Sequence, residues 1–428
     1  MTEPTLDMST LRAVKGMNDI LPEDVPRWRR IESVFWSTVE RYGYGEVRTP
    51  IVEPTELFVR GIGEVTDIVE KEMYTFTDKG GRSLTLRPEG TASAVRAYLE
   101  HSIGGAQPVT KWAYLGPMFR AERPARGRYR QFWQAGVEVF GDAGPYIDAE
   151  MIDMLVGLCA ELGVRDLEVL LNSLGDEAAR ARYLDALVAY LTPHQDALSA
   201  DSQRRLTTNP LRVLDSKAKE DQAIVEGAPG ILEFLGDEDR AHFEGLQETL
   251  TALGTPFRVE PRLVRGLDYY SRTLFEVRGK GGDLGAQNTL CGGGRYDGLV
   301  RSLGGPAVPG IGFAFGIERM LLVMDEAAAP SAPDVFVVVN PPSLLVHGVK
   351  LLKALRRDGL KADADLRGGS MKSQFRRADK SGAPIAIVLG PDEVAKGTAQ
   401  LKHLGRGEQR EVDAKQLAAE VRRALEQP

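Results

Sequence analysis

Five arginines lie within eleven residues of one another, in a polar loop that a proline and a glycine interrupt: Arg120, Arg123, Arg126, Arg128 and Arg130. Guanidinium groups bind phosphate oxygens through paired hydrogen bonds and keep their charge near neutral pH. The loop therefore predicts a phosphate site, with an exposed basic turn as the alternative.

The strand predicted over residues 130–140 follows this loop and has two unlike faces, because side chains alternate along a strand. Trp133, Ala135, Val137 and Val139 form one apolar face, which predicts a core. The other face sets an amide and a carboxylate among apolar residues, with a glycine that leaves room for a ligand: Phe132, Gln134, Gly136, Glu138 and Phe140. Buried polar groups need partners, so this face predicts ligand binding or an internal pairing.

Three further segments mix charged, hydroxyl and small residues. Glu89 and Thr91 stand at a predicted strand-to-helix turn, where they hold a ligand ammonium group or cap the helix. Residues 263–270 group Arg265, Asp268, Tyr269 and Tyr270 around a glycine. Residues 310–319 lead a small-residue strand into a helix, and Arg319 in its first turn predicts a second phosphate contact. Ordinary structural roles remain the alternative for each.

Other means of binding a nucleotide or a metal are missing from the sequence. It contains neither the GxxxxGK[ST] nor the GxGxxG pattern, so arginine side chains would have to hold a triphosphate. Cys159 and Cys291 are far apart, and the five histidines show no metal-ligand spacing, which argues against a disulfide framework or a structural metal. These features together predict an enzyme that uses ATP to activate a small carboxylic acid.

The elements expected to position these residues alternate between helices and short strands up to residue 325. Helices are predicted over 23–42, 92–100, 148–162 and 316–324, and strands over 73–78, 83–87, 111–120, 130–140, 262–278 and 311–315. This pattern predicts an α+β domain with an antiparallel sheet flanked by helices. The strand signal fades between about residues 175 and 255, which predicts a helical insertion.

A second domain is predicted after a linker over residues 326–332. Strands over 335–339, 362–365 and 385–389 alternate with helices over 344–357 and 371–381, which predicts a C-terminal α/β domain over 333–428. This part carries 17 Lys and Arg against 12 Asp and Glu, whereas the whole chain has a net charge of −7. The asymmetry indicates an anionic partner such as RNA or, equally, a solvated basic face.

The composition is that of a globular protein, with 43% hydrophobic and 27% charged residues among 428. No apolar stretch approaches the ~18–20 residues that span a bilayer, so no membrane partner is expected. The first residues lack a basic start and an apolar core, so no secretion signal is expected and the predicted location is cytoplasmic.

The chain resembles the class II aminoacyl-tRNA synthetases and, over nearly its whole length, the histidyl-tRNA synthetases among them. Residues 44–50 resemble motif 1 of this class. Residues 119–123, with the hairpin that they begin, resemble motif 2, and residues 310–319 resemble motif 3. Residues 263–270 and 291–297 resemble signatures peculiar to the histidyl enzymes. The resemblance implies the class II fold, a homodimer through motif 1, and ligation of L-histidine to tRNA(His) with ATP.

The resemblance also implies residue roles. Glu89, Thr91 and Gln134 would surround the histidine α-amino group, and Glu138 and Tyr270 would bind the imidazole nitrogens, with Tyr269 and Arg265 in the same pocket. One carboxylate and one phenol suit a ring that has one donor and one acceptor nitrogen. ATP would contact five side chains, with Glu122 approaching adenine or Mg²⁺: Arg120, Glu122, Arg128, Phe132 and Arg319.

Two arginines are the implied catalytic residues. Arg120 would bind the α-phosphate and Arg265 would stabilise the charge of the pentacoordinate phosphorus as the histidine carboxylate attacks. Arg123, Arg126 and Arg128 would reach the tRNA acceptor end, and the C-terminal domain would bind the anticodon. Metal ligands are left open. A regulatory subunit of ATP phosphoribosyltransferase and a class II synthetase for another amino acid are the competing interpretations.

Overall fold

The computed structural model describes residues 11–63, 66–279, 288–325 and 332–426. The chain forms two compact units, Met1–Ala327 and Ala328–Pro428. Of the linker predicted over 326–332, all but Ala332 lies outside the described residues. Among the residues that are described, no helix is long and apolar enough to cross a membrane.

The first unit is built from eleven described strands, which are β1 (Gly45–Glu46), β2 (Val52–Pro54), β3 (Tyr74–Thr77), β4 (Ser83–Leu86), β5 (Thr110–Phe119), β6 (Gln131–Phe140), β7 (Leu167–Ser173), β8 (Arg258–Val259), β9 (Ser271–Gly279), β10 (Thr289–Arg295) and β11 (Gly310–Gly316). Its described helices are α1 (Val25–Arg41), α2 (Thr55–Ile62), α3 (Thr91–Glu100), α4 (Pro145–Glu161), α5 (Glu177–Leu191), α6 (Ala200–Thr208), α7 (Lys219–Glu226), α8 (Asp237–Leu253), α9 (Leu299–Ser302) and α10 (Ile317–Met320).

An eight-stranded sheet in the order β1-β5-β6-β11-β10-β9-β7-β8 forms the centre of this unit. Neighbouring strands are antiparallel except at the two ends, where the pairs β1–β5 and β7–β8 are parallel. A smaller antiparallel sheet, β2-β4-β3, leads into α3. The predicted α+β architecture is thus confirmed, with a mixed sheet rather than a purely antiparallel one.

Helices cover the apolar face of the large sheet. Trp28, Ile31, Phe35 and Val39 recur at helical spacing in α1, and their burial places that side of the helix in the main core. The same core takes in side chains of α4 and the apolar face of β6, including Val137. The opposite face of the sheet is left to hold the polar residues singled out from the sequence.

The region predicted as a helical insertion is helical, but its helices pack in two different hydrophobic cores. Side chains of α5 and α6 pack around Tyr183 and Leu206 in a cluster that also includes Leu263 and Tyr270. By contrast, Phe243, Leu246 and Leu250 of α8 pack in the main core. Polar helical sequence alone does not show on which core a helix packs, so this division was not visible in the sequence.

Two sequence expectations about strands are wrong. The strand predicted over 262–278 begins only at Ser271, because residues 263–270 form turns and irregular backbone instead of joining a ladder. Leu167–Ser173 forms β7, between β9 and the edge strand β8 of the large sheet, although no strand was predicted there. Both errors concern long-range pairing, which local β-propensity does not determine.

The second unit is an α/β domain with its own core. Its described elements are β12 (Val335–Val339), α11 (Leu345–Arg357), β13 (Ala362–Ala364), α12 (Met371–Ser381), β14 (Ile385–Leu389), α13 (Pro391–Lys396), β15 (Thr398–His403), β16 (Gln409–Asp413) and α14 (Leu417–Glu426). The sheet order is β13-β12-β14-β15-β16, with the first three strands parallel and the last two antiparallel. The predicted alternation up to residue 389 is confirmed.

Candidate active site

A pocket opens between the β5–β6 hairpin and strands β10 and β11. Eleven of the residues singled out from the sequence line it: Glu89, Thr91, Arg120, Glu122, Arg128, Phe132, Gln134, Arg265, Tyr269, Tyr270 and Arg319. They come from distant parts of the chain, and the sheet brings them together. Glu138 lies behind the wall, and Arg123 and Arg126 are exposed on the hairpin loop.

Several cationic side chains of the pocket lie near one another. Arg120 donates from Nε to the Pro88 carbonyl at 2.9 Å, and its guanidinium lies 5.2 Å from the centroid of the Phe132 ring. Arg319 donates from Nη1 to the Thr289 carbonyl at 2.9 Å. Burial, together with nearby Arg128, lowers the pKa of Arg319. Converging arginines of this kind form a strong site for phosphate oxygens.

Three buried polar atoms of wall residues have no hydrogen-bond partner. They are Oε1 of Gln134, Nε of Arg128 and Nε of Arg265. An unsatisfied buried polar atom costs about 1–3 kcal/mol, so native proteins keep few of them. All three residues line the same pocket, which indicates that a polar ligand supplies the missing partners.

Glu89 has two roles in this geometry. Its carboxylate oxygens accept from the backbone N–H groups of Thr91 at 2.7 Å and Ala92 at 2.8 Å, so it caps the first turn of α3. Burial raises the pKa of Glu89, and these two hydrogen bonds oppose the shift. The helix cap and the contact with the pocket, which the sequence left as alternatives, occur together.

Glu138 is fully buried on β6 and accepts three hydroxyl donors. Oε1 accepts from Thr91 Oγ1 at 2.7 Å and from the Tyr114 hydroxyl at 3.1 Å, and Oε2 accepts from the Tyr296 hydroxyl at 2.5 Å. Burial raises the pKa of Glu138 to about 8, although the hydrogen bonds lower it. Burial thus favours the neutral form of this carboxyl near neutral pH.

The space above Gly136 is not left for a ligand, contrary to the sequence interpretation. A Cβ on Gly136 would overlap the ring of Tyr114, and so would a Cβ on Gly90. The phenol of Tyr114 occupies the gap between β6 and α3 and directs its hydroxyl to Glu138. Of the predicted ligand-binding face of β6, Phe132 and Gln134 thus line the open pocket, and Glu138 lies behind its wall.

The segment 263–270 places an arginine and two tyrosines on the wall opposite the hairpin. Arg265 donates from Nη1 to Oε2 of Glu276 at 2.6 Å. Burial alone lowers the pKa of Arg265, but Glu276 raises it overall. The rings of Tyr269 and Tyr270 lie 4.8 Å apart, and burial raises the pKa of Tyr270 to about 12. The wall thus combines a fixed cation with neutral phenols.

Comparisons with known proteins agree with this geometry. A family model described as Histidyl-tRNA synthetase matches residues 16–320, and one described as Anticodon binding domain matches residues 334–424. A protein named Histidine--tRNA ligase, from Sorangium cellulosum (strain So ce56), is 52% identical over 419 residues, which are 98% of each chain.

The chain belongs to the histidyl-tRNA synthetase family.

Solved structures of the family share the fold. The apo histidyl-tRNA synthetase of S. aureus has a TM-score of 0.81 and 39% identity, covering 96% of this chain and 100% of that one. The histidyl-tRNA synthetase of Nostoc sp. PCC 7120 has a TM-score of 0.68 and 21% identity, covering 97% and 99%. The predicted family, the class II fold and the expectation of an ATP-dependent aminoacyl-tRNA synthetase are confirmed.

Sequence reasoning missed several residues that complete this synthetase pocket. Tyr296 lines the wall and holds Glu138, yet it had been noted only as part of the 291–297 signature. Glu276, Thr289 and Glu318 carry hydrogen bonds to wall residues or to the backbone beside them. Glu276 is a polar residue between Phe275 and Val277, which both pack in the core. This alternation with period two is a sequence signal that identifies Glu276.

Proposed function

We propose that this pocket carries out the complete histidine–tRNA ligase reaction. It activates L-histidine with ATP to histidyl-adenylate and pyrophosphate, and then transfers histidine to the 3′ end of tRNA(His). The observation that supports the residue roles most strongly is the set of side chains that line the pocket. Arg120, Arg265 and Arg319 lie on its walls together with buried amide, carboxyl and phenol groups.

Histidine would bind beside these neutral and acidic groups. Glu89, Thr91 and Gln134 would accept its ammonium group, with the unpartnered Oε1 of Gln134 gaining a donor. Glu138 and Tyr270 would bind the two imidazole nitrogens, while Tyr269 packs beside the ring. Because Glu138 lies behind the wall, one of its present hydroxyl partners must turn aside to admit the ligand.

The arginines would stabilise the charge that develops on the phosphates. A histidine carboxylate oxygen attacks the α-phosphorus, the bond from that phosphorus to the bridging oxygen breaks, and pyrophosphate leaves. Arg120 would bind the α-phosphate, Arg319 the γ-phosphate, and Arg265 the pentacoordinate centre, where a fixed cation is most effective. Phe132 would stack on adenine, and Arg128 would contact the nucleotide.

Magnesium would enter with the triphosphate. Glu122 and Glu318 line the pocket, which fits a cation that takes one or two carboxylates together with substrate phosphates. Among the described residues, no group of three or more His, Cys, Asp or Glu side chains suits a metal ion without the substrate. When bound, Mg²⁺ would neutralise phosphate charge, while the arginines orient the reacting groups.

The tRNA would be held at both of its ends. After activation, a 3′-terminal ribose hydroxyl attacks the histidyl carbonyl carbon, loses its proton, and AMP leaves. Exposed Arg123 and Arg126, with Arg128, would contact the acceptor end, and residues 333–428 would bind the anticodon. The catalytic domain would span residues 1–325, with the helical insertion at about 175–255 near the acceptor arm.

A homodimer through residues 44–50 and a cytoplasmic location complete the proposal. Large apolar side chains are exposed directly after this segment at Ile51 and Val52, which supports an interface there. The location follows the usual compartment of this family.

Charging of tRNA provides the experiment for this proposal. The protein is expected to attach labelled L-histidine, and no other amino acid, to tRNA(His). Arg265→His should leave the Kd for histidine within about threefold but lower the adenylation rate by about 10²–10³-fold, as for loss of one charge-stabilising donor. Near-normal adenylation by this variant would remove Arg265 from the mechanism, and absence of histidine charging would refute the proposed function.

A further inference from the structure

A buried carboxylate that no substrate role requires lies beside Arg265. Glu276, on β9, is 5% exposed. Its Oε2 accepts from Nη1 of Arg265 at 2.6 Å, while its Oε1 accepts from Nε of Arg278 at 2.6 Å and from Oγ1 of Thr289 at 2.7 Å. Both carboxylate oxygens are therefore used within the protein.

The position of Arg265 depends on these contacts because its backbone belongs to neither a helix nor a strand. Gly292 of β10 pairs with Glu276 in the β9–β10 ladder, and a Cβ on this glycine would overlap the guanidinium of Arg265. The guanidinium thus lies over the Gly292 backbone and is bound to the neighbouring carboxylate. Its Nε remains buried without a hydrogen-bond partner.

The same carboxylate is connected to a second arginine of the site. Thr289 donates its hydroxyl to Glu276, and its carbonyl oxygen accepts from Nη1 of Arg319 at 2.9 Å. Arg265 and Arg319 are the cations proposed for the pentacoordinate α-phosphorus and for the γ-phosphate. Glu276 is therefore connected to Arg265 by one hydrogen bond. It is connected to Arg319 by two hydrogen bonds, through Thr289.

We propose that Glu276 is a positioning residue that fixes Arg265, and through Thr289 Arg319, in the geometry required for adenylate formation. This inference rests on the proposed function of the pocket. A cation that is fixed before the reaction stabilises developing charge without reorganisation, whereas a free arginine must first be ordered. Burial raises the pKa of Glu276, but Arg265, Arg278 and Thr289 lower it overall, so the carboxylate is charged at neutral pH.

The direct test removes the negative charge of Glu276 but keeps the shape of its side chain. Glu276→Gln is expected to lower kcat for histidine-dependent ATP–pyrophosphate exchange by about 10–100-fold, since a displacement of about 1 Å costs up to that much. The KM for histidine should stay within about threefold.

Thr289→Val, which removes only one hydrogen-bond donor to Glu276, should lower kcat by less than Glu276→Gln does. Glu168→Gln on the adjacent strand β7, in an ion pair with Arg258 outside the pocket, is the matched control and should leave kcat unchanged.

A double-mutant cycle separates positioning from a general structural role. If Glu276 acts mainly through Arg265, then Glu276→Gln should change kcat several-fold less in an Arg265→Met background than in the parent, because only the path through Thr289 to Arg319 remains. The inference would be overturned if Glu276→Gln keeps kcat within twofold of the parent. It would also be overturned if Glu276→Gln lowers kcat as much in the Arg265→Met background as in the parent. A parent chain without histidine-dependent exchange would instead overturn the proposed function, and this role with it.

Discussion

At the scale of single residues, the protonation state of Glu138 is the most informative feature of the pocket. A carboxylate with three hydroxyl donors is usually ionised, because hydrogen bonds to the charged form lower its pKa. Here complete burial outweighs them and raises the pKa of Glu138 to about 8. A neutral carboxyl can donate to one imidazole nitrogen, whereas an ionised one can only accept.

The raised pKa of Glu138 predicts a pH dependence of stability. The folded state binds the proton more tightly than the unfolded state, whose pKa is near 4.5, so the stabilisation is complete below about pH 4.5 and is lost as pH rises to about 8. Glu138→Gln should therefore flatten the fall in Tm of the unliganded protein between pH 5 and 8.

Thermal unfolding followed at several pH values, with Glu168→Gln as the control, checks this prediction. Some slope should remain, because burial also raises the pKa of Glu318 to about 7. An unchanged slope in Glu138→Gln would show that Glu138 is ionised in the unliganded protein.

At the scale of elements, one aromatic side chain holds α3 against the sheet. Tyr114 of β5 lies over Gly136 of β6 and Gly90 at the start of α3, and both glycines lack the Cβ that would overlap its ring. The positions of Glu89 and Thr91, at the beginning of this helix, depend on this packing. A side chain larger than glycine at position 136 must displace the tyrosine or the helix.

Gly136→Ala is accordingly expected to destabilise the protein by about 1–3 kcal/mol, the usual cost of overpacking a core. The measurement is denaturant unfolding. Gly298→Ala is the matched control, because a Cβ at Gly298 meets no atom within 4 Å and its φ of −87° suits alanine. Equal stability of the two variants would contradict the assigned role of Tyr114.

The same elements show how far the sequence could predict the site. Period-two alternation correctly placed Phe132 and Gln134 on the pocket side of β6, and Trp133 against the core. It could not show that Tyr114 fills the space over Gly136, because that contact depends on the register between β5 and β6. Residues 263–270 were mistaken for a strand, since their shape is set by distant partners such as Glu276.

At the scale of the whole molecule, the two units have separate cores and separate sequence patterns. The core of the second unit is formed by its own strands and helices, including Val337, Leu355 and Val421. All residues of the pocket belong to the first unit. The sequence predicted this division because α/β alternation is a local pattern, whereas pairing across the large sheet is not.

Separation of the units therefore gives a further prediction. A chain of residues 1–325 should catalyse histidine-dependent pyrophosphate exchange within a few-fold of the full chain, because the pocket is complete. Its kcat/KM for tRNA(His) in charging should fall by at least about tenfold, which corresponds to about 1.4 kcal/mol of lost binding. Full charging activity without residues 326–428 would contradict the anticodon-binding role proposed for the second unit.

The central claim is that one pocket activates histidine with ATP, and ATP–pyrophosphate exchange measured with each of the twenty amino acids tests it most directly. A site that pairs Glu138 and Tyr270 with the two imidazole nitrogens leaves buried polar groups unpaired when another side chain enters, which can discriminate by about 10⁴–10⁵-fold. The account predicts exchange with histidine alone. No exchange, or exchange that is faster with another amino acid, would contradict it.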